Sequence, residues 1–289
     1  MLALAKLAAA NILPWPLQRS PGYARNDQSS RGKDVHHIHI IGIGTGNPEH
    51  LTVQAINAMN AVDAIFIPTK GTEKDGLAAV RREICSRYVA NNTTKIIEFA
   101  VPKRAATERT YLESVDEWHA AIARTYANLI ADLPDAGAAA FLVWGDPSLY
   151  DSTIRVLERA RQASGLAFEF SVIPGITSVQ ALAASHRIPI NLVGKPLEIT
   201  TGRRLLAKGN QATSTIVMLD GETAFSKIHD PDAEIFWGAY LGTPDEITRA
   251  GRLADVADEI VRLRAEARAR HGWIMDIYLL RKGHDFDDL

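Results

Sequence analysis

Ile40-Ile41-Gly42-Ile43-Gly44-Thr45-Gly46-Asn47-Pro48-Glu49-His50-Leu51-Thr52 is the stretch on which the fold turns. The apolar run His36–Ile41 reads as a parallel strand buried on both faces, since such strands lose the alternation of half-exposed ones. The run stops in alternating glycines, and Pro48 then opens a helix. Glycines at a strand's carboxyl end let backbone approach a ligand closely, and open parallel sheets place their ligands there. The plainer reading of the same residues is a tight strand-to-helix turn in any α/β domain.

A dinucleotide-binding loop is the weaker reading. The third glycine of G-x-G-x-x-G would fall at position 47, which is asparagine. The next apolar run, Asp63–Ile67, ends in Pro68-Thr69, so no acid sits at its tip to hold a ribose.

Working outward, strand and helix patterns alternate. The expected strands are His36–Ile41, Asp63–Ile67, Lys95–Phe99, Ala139–Val143 and Phe168–Val172, with helices over Leu51–Asn60, Gly76–Val89, Thr110–Ala131 and Thr153–Ala163. That order predicts a mainly parallel sheet covered on both faces. The link Pro174-Gly175 interrupts it. A second set follows: helix Ser178–Ser185, strands near Leu197–Thr201, Ser214–Leu219, Glu234–Tyr240 and Trp273–Leu280, and an amphipathic helix Leu253–Ala269. Their uneven spacing predicts a mixed sheet. The expectation is two α/β domains, 35–173 and 174–289, with a cleft between them, preceded by a disordered extension over 1–34 that carries Pro14, Pro16 and Pro21. Pro102–Arg109 is charged and reads as a mobile loop.

Composition narrows the class. The chain of 289 residues is 46% hydrophobic and 23% charged, as in a soluble globular protein. A net charge of −2 argues against generic affinity for nucleic acid or an acidic membrane. The single cysteine, Cys85, excludes an internal disulfide and a Cys-rich zinc site. A reducing cytosol fits, and a cytoplasmic enzyme is expected. No segment after the first 34 residues approaches the roughly 18 apolar residues of a membrane span.

Two further glycine-proline turns follow strands, Trp144-Gly145-Asp146-Pro147-Ser148-Leu149-Tyr150 and Pro174-Gly175-Ile176-Thr177-Ser178. Taken singly, the first is a β-turn in which Asp146 bonds its own backbone, and Thr177 is the N-cap of the next helix. Three such loops at strand ends point to one shared crevice.

The chain resembles the tetrapyrrole (corrin and porphyrin) methyltransferases, which use S-adenosylmethionine. Four landmarks carry the likeness: Gly-x-Gly-x-Gly-x-Pro-x-x-Leu-Thr at 42–52, Gly-Asp-Pro-x-x-Tyr at 145–150, Pro-Gly-Ile-Thr-Ser at 174–178 and Gly-Thr-Pro at 242–244. The likeness extends over roughly 36–285 and implies the two-domain fold of class III methyltransferases. Within the family, stretches 144–153, 111–119 and 218–222 look most like the enzymes of aerobic cobalamin biosynthesis that methylate C1 of precorrin-5 and expel the adjoining acetyl group as acetate. The resemblance implies cofactor contacts at Thr45, Trp144, Gly145, Asp146, Leu149, Thr177, Ser178, Met218 and Gly242, in a cleft between domains. Many members have proline where Thr45 stands. The resemblance also implies a homodimer, a small anionic tetrapyrrole as substrate and no metal.

The residue inventory suits that chemistry. A sulfonium methyl needs alignment with an electron-rich carbon, not a nucleophilic triad, and no triad is apparent. Loss of acetyl requires water to add to a carbonyl, for which a general base and oxyanion donors help. Asp151, Tyr150, Glu113 and His119 are candidates by residue type only, and no catalytic residue is assigned. Lys103-Arg104, Arg81-Arg82, Arg203-Arg204 and Lys195 are basic groups suited to substrate carboxylates. Taken singly, each reads first as a solvated surface charge. His36, His37 and His39 alternate along the first strand and read as strand-edge residues. Other readings stay open: another precorrin methyltransferase, diphthine synthase, an rRNA ribose methyltransferase, a nicotinamide-dependent oxidoreductase, or a non-catalytic nucleotide-binding module.

Overall fold

β1 (His36–Gly42) alternates its side chains between two buried layers. Ile38 and Ile40 face one, Ile41 the other. β2 (Ala64–Thr69) and β4 (Ala138–Val143) repeat this, with Phe66 and Phe141 on the first side and Ile65 and Leu142 on the second. Burial on both faces is what the unbroken apolar runs require. With β3 (Lys95–Ala100) and β5 (Phe168–Ile173) they form a five-stranded sheet in the order β3-β2-β4-β1-β5, with every pairing parallel. The computed structural model describes residues 35–69, 75–102, 111–209 and 212–282. The 1–34 extension, all but Pro102 of the expected mobile loop, Lys103-Arg104 and the Glu113 side chain lie outside the described residues.

Helices cover both faces. α3 (Tyr111–Ala131) and α4 (Thr153–Ser164) pack on the Ile40 side, α1 (Val53–Met59) and α2 (Asp75–Tyr88) on the Ile41 side. The helix expected from Leu51 begins later. Pro48–His50 is a single 3-10 turn, and Thr52, extended at φ −74° and ψ 152°, caps α1 by accepting from Ala55 N at 3.1 Å.

After β5 the chain enters α5 (Ser178–His186), β6 (Leu197–Thr201), α6 (Gly202–Lys208), β7 (Ser214–Met218), β8 (Ala233–Ala239), β9 (Ile247–Arg252), α7 (Leu253–His271) and β10 (Asp276–Lys282). A second five-stranded sheet runs β6-β7-β10-β8-β9, parallel only between β6 and β7. The mixed sheet expected from the sequence is therefore present, and the whole is the two-domain α/β class. Period-two burial holds here as well, with Tyr278 and Leu280 on one face of β10 and Ile277 and Leu279 on the other. Three elements lacked a readable signal: β9, α6 and a 3-10 turn at Ala224–Lys227. β9 reads Ile-Thr-Arg-Ala-Gly-Arg, without an apolar run. β10 also starts later than the expected Trp273. The histidines need correction: β1 lies between β4 and β5, not at an edge, and His39 Nδ1 is 2.7 Å from Ser171 Oγ of β5.

Candidate functional site

Strand ends of the parallel sheet meet backbone to backbone. A Cβ on Gly42 would lie 2.5 Å from Gly175 N and 2.8 Å from Gly145 O. Only glycine permits that approach. Gly44 and Gly145 bond each other in both directions, N to O at 3.2 and 2.8 Å, with φ of +77° and +67°. The Asp146 carboxylate ties the other two loops together: Oδ2 accepts from Gly175 N at 2.8 Å and Oδ1 from Ser148 N at 2.8 Å. Burial pushes this carboxyl up, but the Ser148 hydroxyl and the Gly175 and Ser148 N–H groups together outweigh it and hold it below the usual carboxylate range. The expected self-bonded turn is thus present, with a second task added. Thr177 is likewise the N-cap of α5, accepting from Val179 N at 3.1 Å.

These loops border a cavity of about 420 Å³, within the range of roughly 300–1,000 Å³ usual for small-molecule sites. Thr45, Trp144, Gly145, Asp146, Leu149, Thr177, Ser178 and Met218 all line it. Gly242 does not, although Leu241 and Thr243 on either side of it do. A Cβ on Gly242 would meet Thr45 Oγ1 at 3.1 Å and His50 Cε1 at 3.3 Å. This glycine, at φ +80°, therefore lets the mixed-sheet loop dock on the β1–α1 loop. Thr45 Oγ1 is buried and without a hydrogen-bond partner among the described residues. A buried hydroxyl in that state, beside a backbone cradle, suits a polar small molecule.

The mixed sheet supplies the facing wall. Leu219, after β7, and Tyr240, after β8, line the cavity at φ +54° and +51°, and Tyr150 does so at +51°. Left-handed backbone at non-glycine residues costs on the order of 1–3 kcal/mol and collects at functional sites. Asp276 also lines the cavity, accepting from Arg264 Nε at 2.9 Å and Trp237 Nε1 at 3.0 Å. Burial pushes its carboxyl up, with Arg264 opposing.

The other end of the cavity lies within the parallel-sheet half, where Arg81, Trp118, Ile122, Tyr126, Asp151 and Thr153 line it. The adjacent pair Arg81-Arg82 therefore splits. Arg81 is buried, and Arg82 pairs outward with Glu98 at 2.6 Å. Successive helical residues point about 100° apart, and Ala78, Arg81, Cys85 and Tyr88 follow the buried stripe, a signal the sequence carried. Of the acid–base candidates, Tyr150 and Asp151 reach the cavity and His119 does not. His119 stacks on Trp118 with ring centroids 5.4 Å apart, and burial, then Arg155 and Arg159, lower its pKa. Arg204 lies near enough to Tyr150 to act on its ionisation, but neither Arg203 nor Arg204 lines the cavity. Asp276, Tyr240 and Thr153 were not foreseen, since nothing in their local pattern separates them from core residues.

The chain is 61% identical over 253 residues to a Sinorhizobium precorrin-6A synthase [deacetylating], covering 87% of this chain and 97% of that one. Its structure matches that of a Corynebacterium diphtheriae protein described as related to cobalamin synthesis (CobF), with a TM-score of 0.75 and 40% identity over 86% of this chain and 99% of the other. A Thermus thermophilus uroporphyrin-III C-methyl transferase, solved with S-adenyl homocysteine, shares the fold at a TM-score of 0.51 and 18% identity, over 85% and 92% of the two chains. Residues 37–257 match the model of the tetrapyrrole (corrin/porphyrin) methylases, and the chain belongs to that family.

Proposed function

We propose that the chain methylates C1 of precorrin-5 with S-adenosylmethionine and releases the adjoining acetyl group as acetate, giving precorrin-6A in aerobic cobalamin biosynthesis. The observation that carries this reading is the 61% identity to a precorrin-6A synthase over 97% of that relative's length. The glycine cradle and the buried, unpaired Thr45 hydroxyl suit the cofactor. Its holding groups are then Thr45, the backbone of Trp144, Gly145 and Asp146, Leu149, Thr177, Ser178 and Met218, with Gly242 fixing the facing loop. When bound, S-adenosylmethionine supplies a methyl group already activated as a sulfonium. The residues of the chain position the reactants, which can be worth several kcal/mol without acid or base. Asp146 is committed to its loops by the bonds it accepts, so its part is to hold their shape. For water addition to the acetyl carbonyl, Asp151 and Tyr150 are the described candidates at the cavity.

The same reading takes 35–173 and 174–289 as the two domains, since β1–β5 pair only in the first sheet and β6–β10 only in the second. It takes the protein as a cytoplasmic homodimer acting on an anionic tetrapyrrole, without nucleic-acid or membrane partners. A net charge of −2 is in keeping with this, and no described helix is long and apolar enough to cross a membrane. Ligand titration tests the cofactor directly. S-adenosylhomocysteine is expected to raise the melting temperature and NAD to leave it unchanged. Stabilisation by NAD alone would turn the reading towards an oxidoreductase.

A further inference from the structure

Arg81 is buried to 7% exposure on the apolar stripe of α2. A guanidinium in such a place normally faces a carboxylate, because an unpaired buried charge is costly. Its Nε donates to Leu142 O at 3.0 Å and Nη1 to Leu77 O at 2.8 Å. These bonds fix the plane of the group and use two of its five N–H donors. No described residue accepts from Nη2, and no described carboxylate comes within ion-pair distance. Asp151 acts on it only at longer range. Arg81 nevertheless lines the cavity, with donors left over for an acceptor that enters it.

Two hydroxyls stand beside it. Tyr126 is held by its ring, with centroids 4.3 Å from Phe141 and 5.7 Å from Phe99, and both it and Thr153 line the same cavity as Arg81. Trp118 and Ile122 supply an apolar wall to the same space. The compartment thus offers a cationic fork and hydroxyls to oxygen, and hydrocarbon to a methyl group. That is the chemistry of a two-carbon acyl group and of its carboxylate. An Arg fork matches a carboxylate bidentately, and it favours negative charge on an oxygen in a water-poor site.

We propose that Arg81, Tyr126 and Thr153 form the subsite that holds the acetyl group of the substrate and then the acetate released from it. This rests on the methylation-with-deacetylation reading above. A peripheral carboxylate of the macrocycle offers the guanidinium the same anionic chemistry, and the experiment separates the two.

The full-length protein is titrated with ¹³C-acetate and followed by NMR line broadening. In parallel, single-turnover reactions with precorrin-5 measure acetate released per methyl group transferred. Wild type is expected to bind acetate saturably. Arg81→Met is expected to weaken acetate binding about tenfold or more, as loss of a charge-assisted bond does, and Arg81→Lys to restore part of it. In the same Arg81→Met variant the acetate-to-methyl ratio falls while methyl transfer continues. Tyr126→Phe keeps the ring packing, guards against misfolding of the Arg81 variants, and is expected to lower the ratio less. Absence of saturable acetate binding to wild type overturns the subsite. So does a wild-type ratio in Arg81→Met accompanied by a raised KM for precorrin-5, which assigns the guanidinium to a peripheral carboxylate. A wild-type protein that binds S-adenosylmethionine but transfers no methyl group to precorrin-5 overturns the functional reading itself, and the subsite with it.

Discussion

The two walls of the cavity are built differently. On the parallel-sheet side, Gly42, Gly44, Gly145 and Gly175 let strand ends touch backbone to backbone, and one carboxylate, Asp146, ties them. On the mixed-sheet side, Leu219 and Tyr240 adopt the left-handed conformation without being glycine. There a buried polar group, Arg264–Asp276–Trp237, sets the floor. The first wall gains its shape from missing side chains at low conformational cost. The second keeps its side chains and relies on surrounding contacts to hold strained backbone. Loss of a single group should therefore act locally on the first wall and more broadly on the second.

Arg264→Ala is expected to have the largest effect. It strips Asp276 of its cation and removes the 2.7 Å bond from Arg264 Nη2 to Asp220 O. Breaking a buried pair this way costs about 3–5 kcal/mol, read by denaturant unfolding. Gly175→Ala comes next. Its Cβ would meet Gly145 O and the Gly42 backbone, and overpacking of that kind costs about 1–3 kcal/mol. S-adenosylhomocysteine affinity should fall with it. If Gly175→Ala proves harmless in both respects, the close backbone contact is not what shapes the first wall.

The two carboxylates sharpen the contrast through pH. Asp146 is held below its ordinary range when folded, so its contribution is present at neutral pH and lost as pH falls through the folded value. Asp146→Asn should cost about 1.5–3 kcal/mol at pH 7, with the gap to wild type closing in acid. Asp276 has the opposite sign. Its folded pKa is raised, so the folded state takes up a proton first. Wild type should gain stability relative to Asp276→Asn as pH falls from neutral towards the ordinary carboxylate range. Parallel pH trends for the two substitutions would refute the distinction. The smallest effect is expected of Arg82→Ala, since its pair with Glu98 is 40% exposed on each side and such pairs contribute about 0.2–1 kcal/mol.

This contrast also explains what could be read from the chain. Glycine and proline leave a mark in sequence, so the three loops, the parallel sheet and most of the expected positions that line the cavity are legible around Gly42, Gly145 and Gly175. Leu219 and Tyr240 carry no such mark, because their φ values are imposed by packing that only the folded chain supplies. β9 was hidden because edge strands need bury only part of one face, and Gly251 and the arginines of that stretch break the pattern. Arg81 was half legible. Its place on the stripe of α2 is readable, but adjacency to Arg82 suggests a basic pair, and neighbours on a helix lie on different faces.

The most direct test incubates the purified chain with precorrin-5 and methyl-labelled S-adenosylmethionine, and quantifies labelled corrinoid and free acetate together. One acetate is expected for each methyl group transferred, with both products absent when either reactant is withheld. Methylated product without acetate, or no transfer of label to precorrin-5, would contradict it.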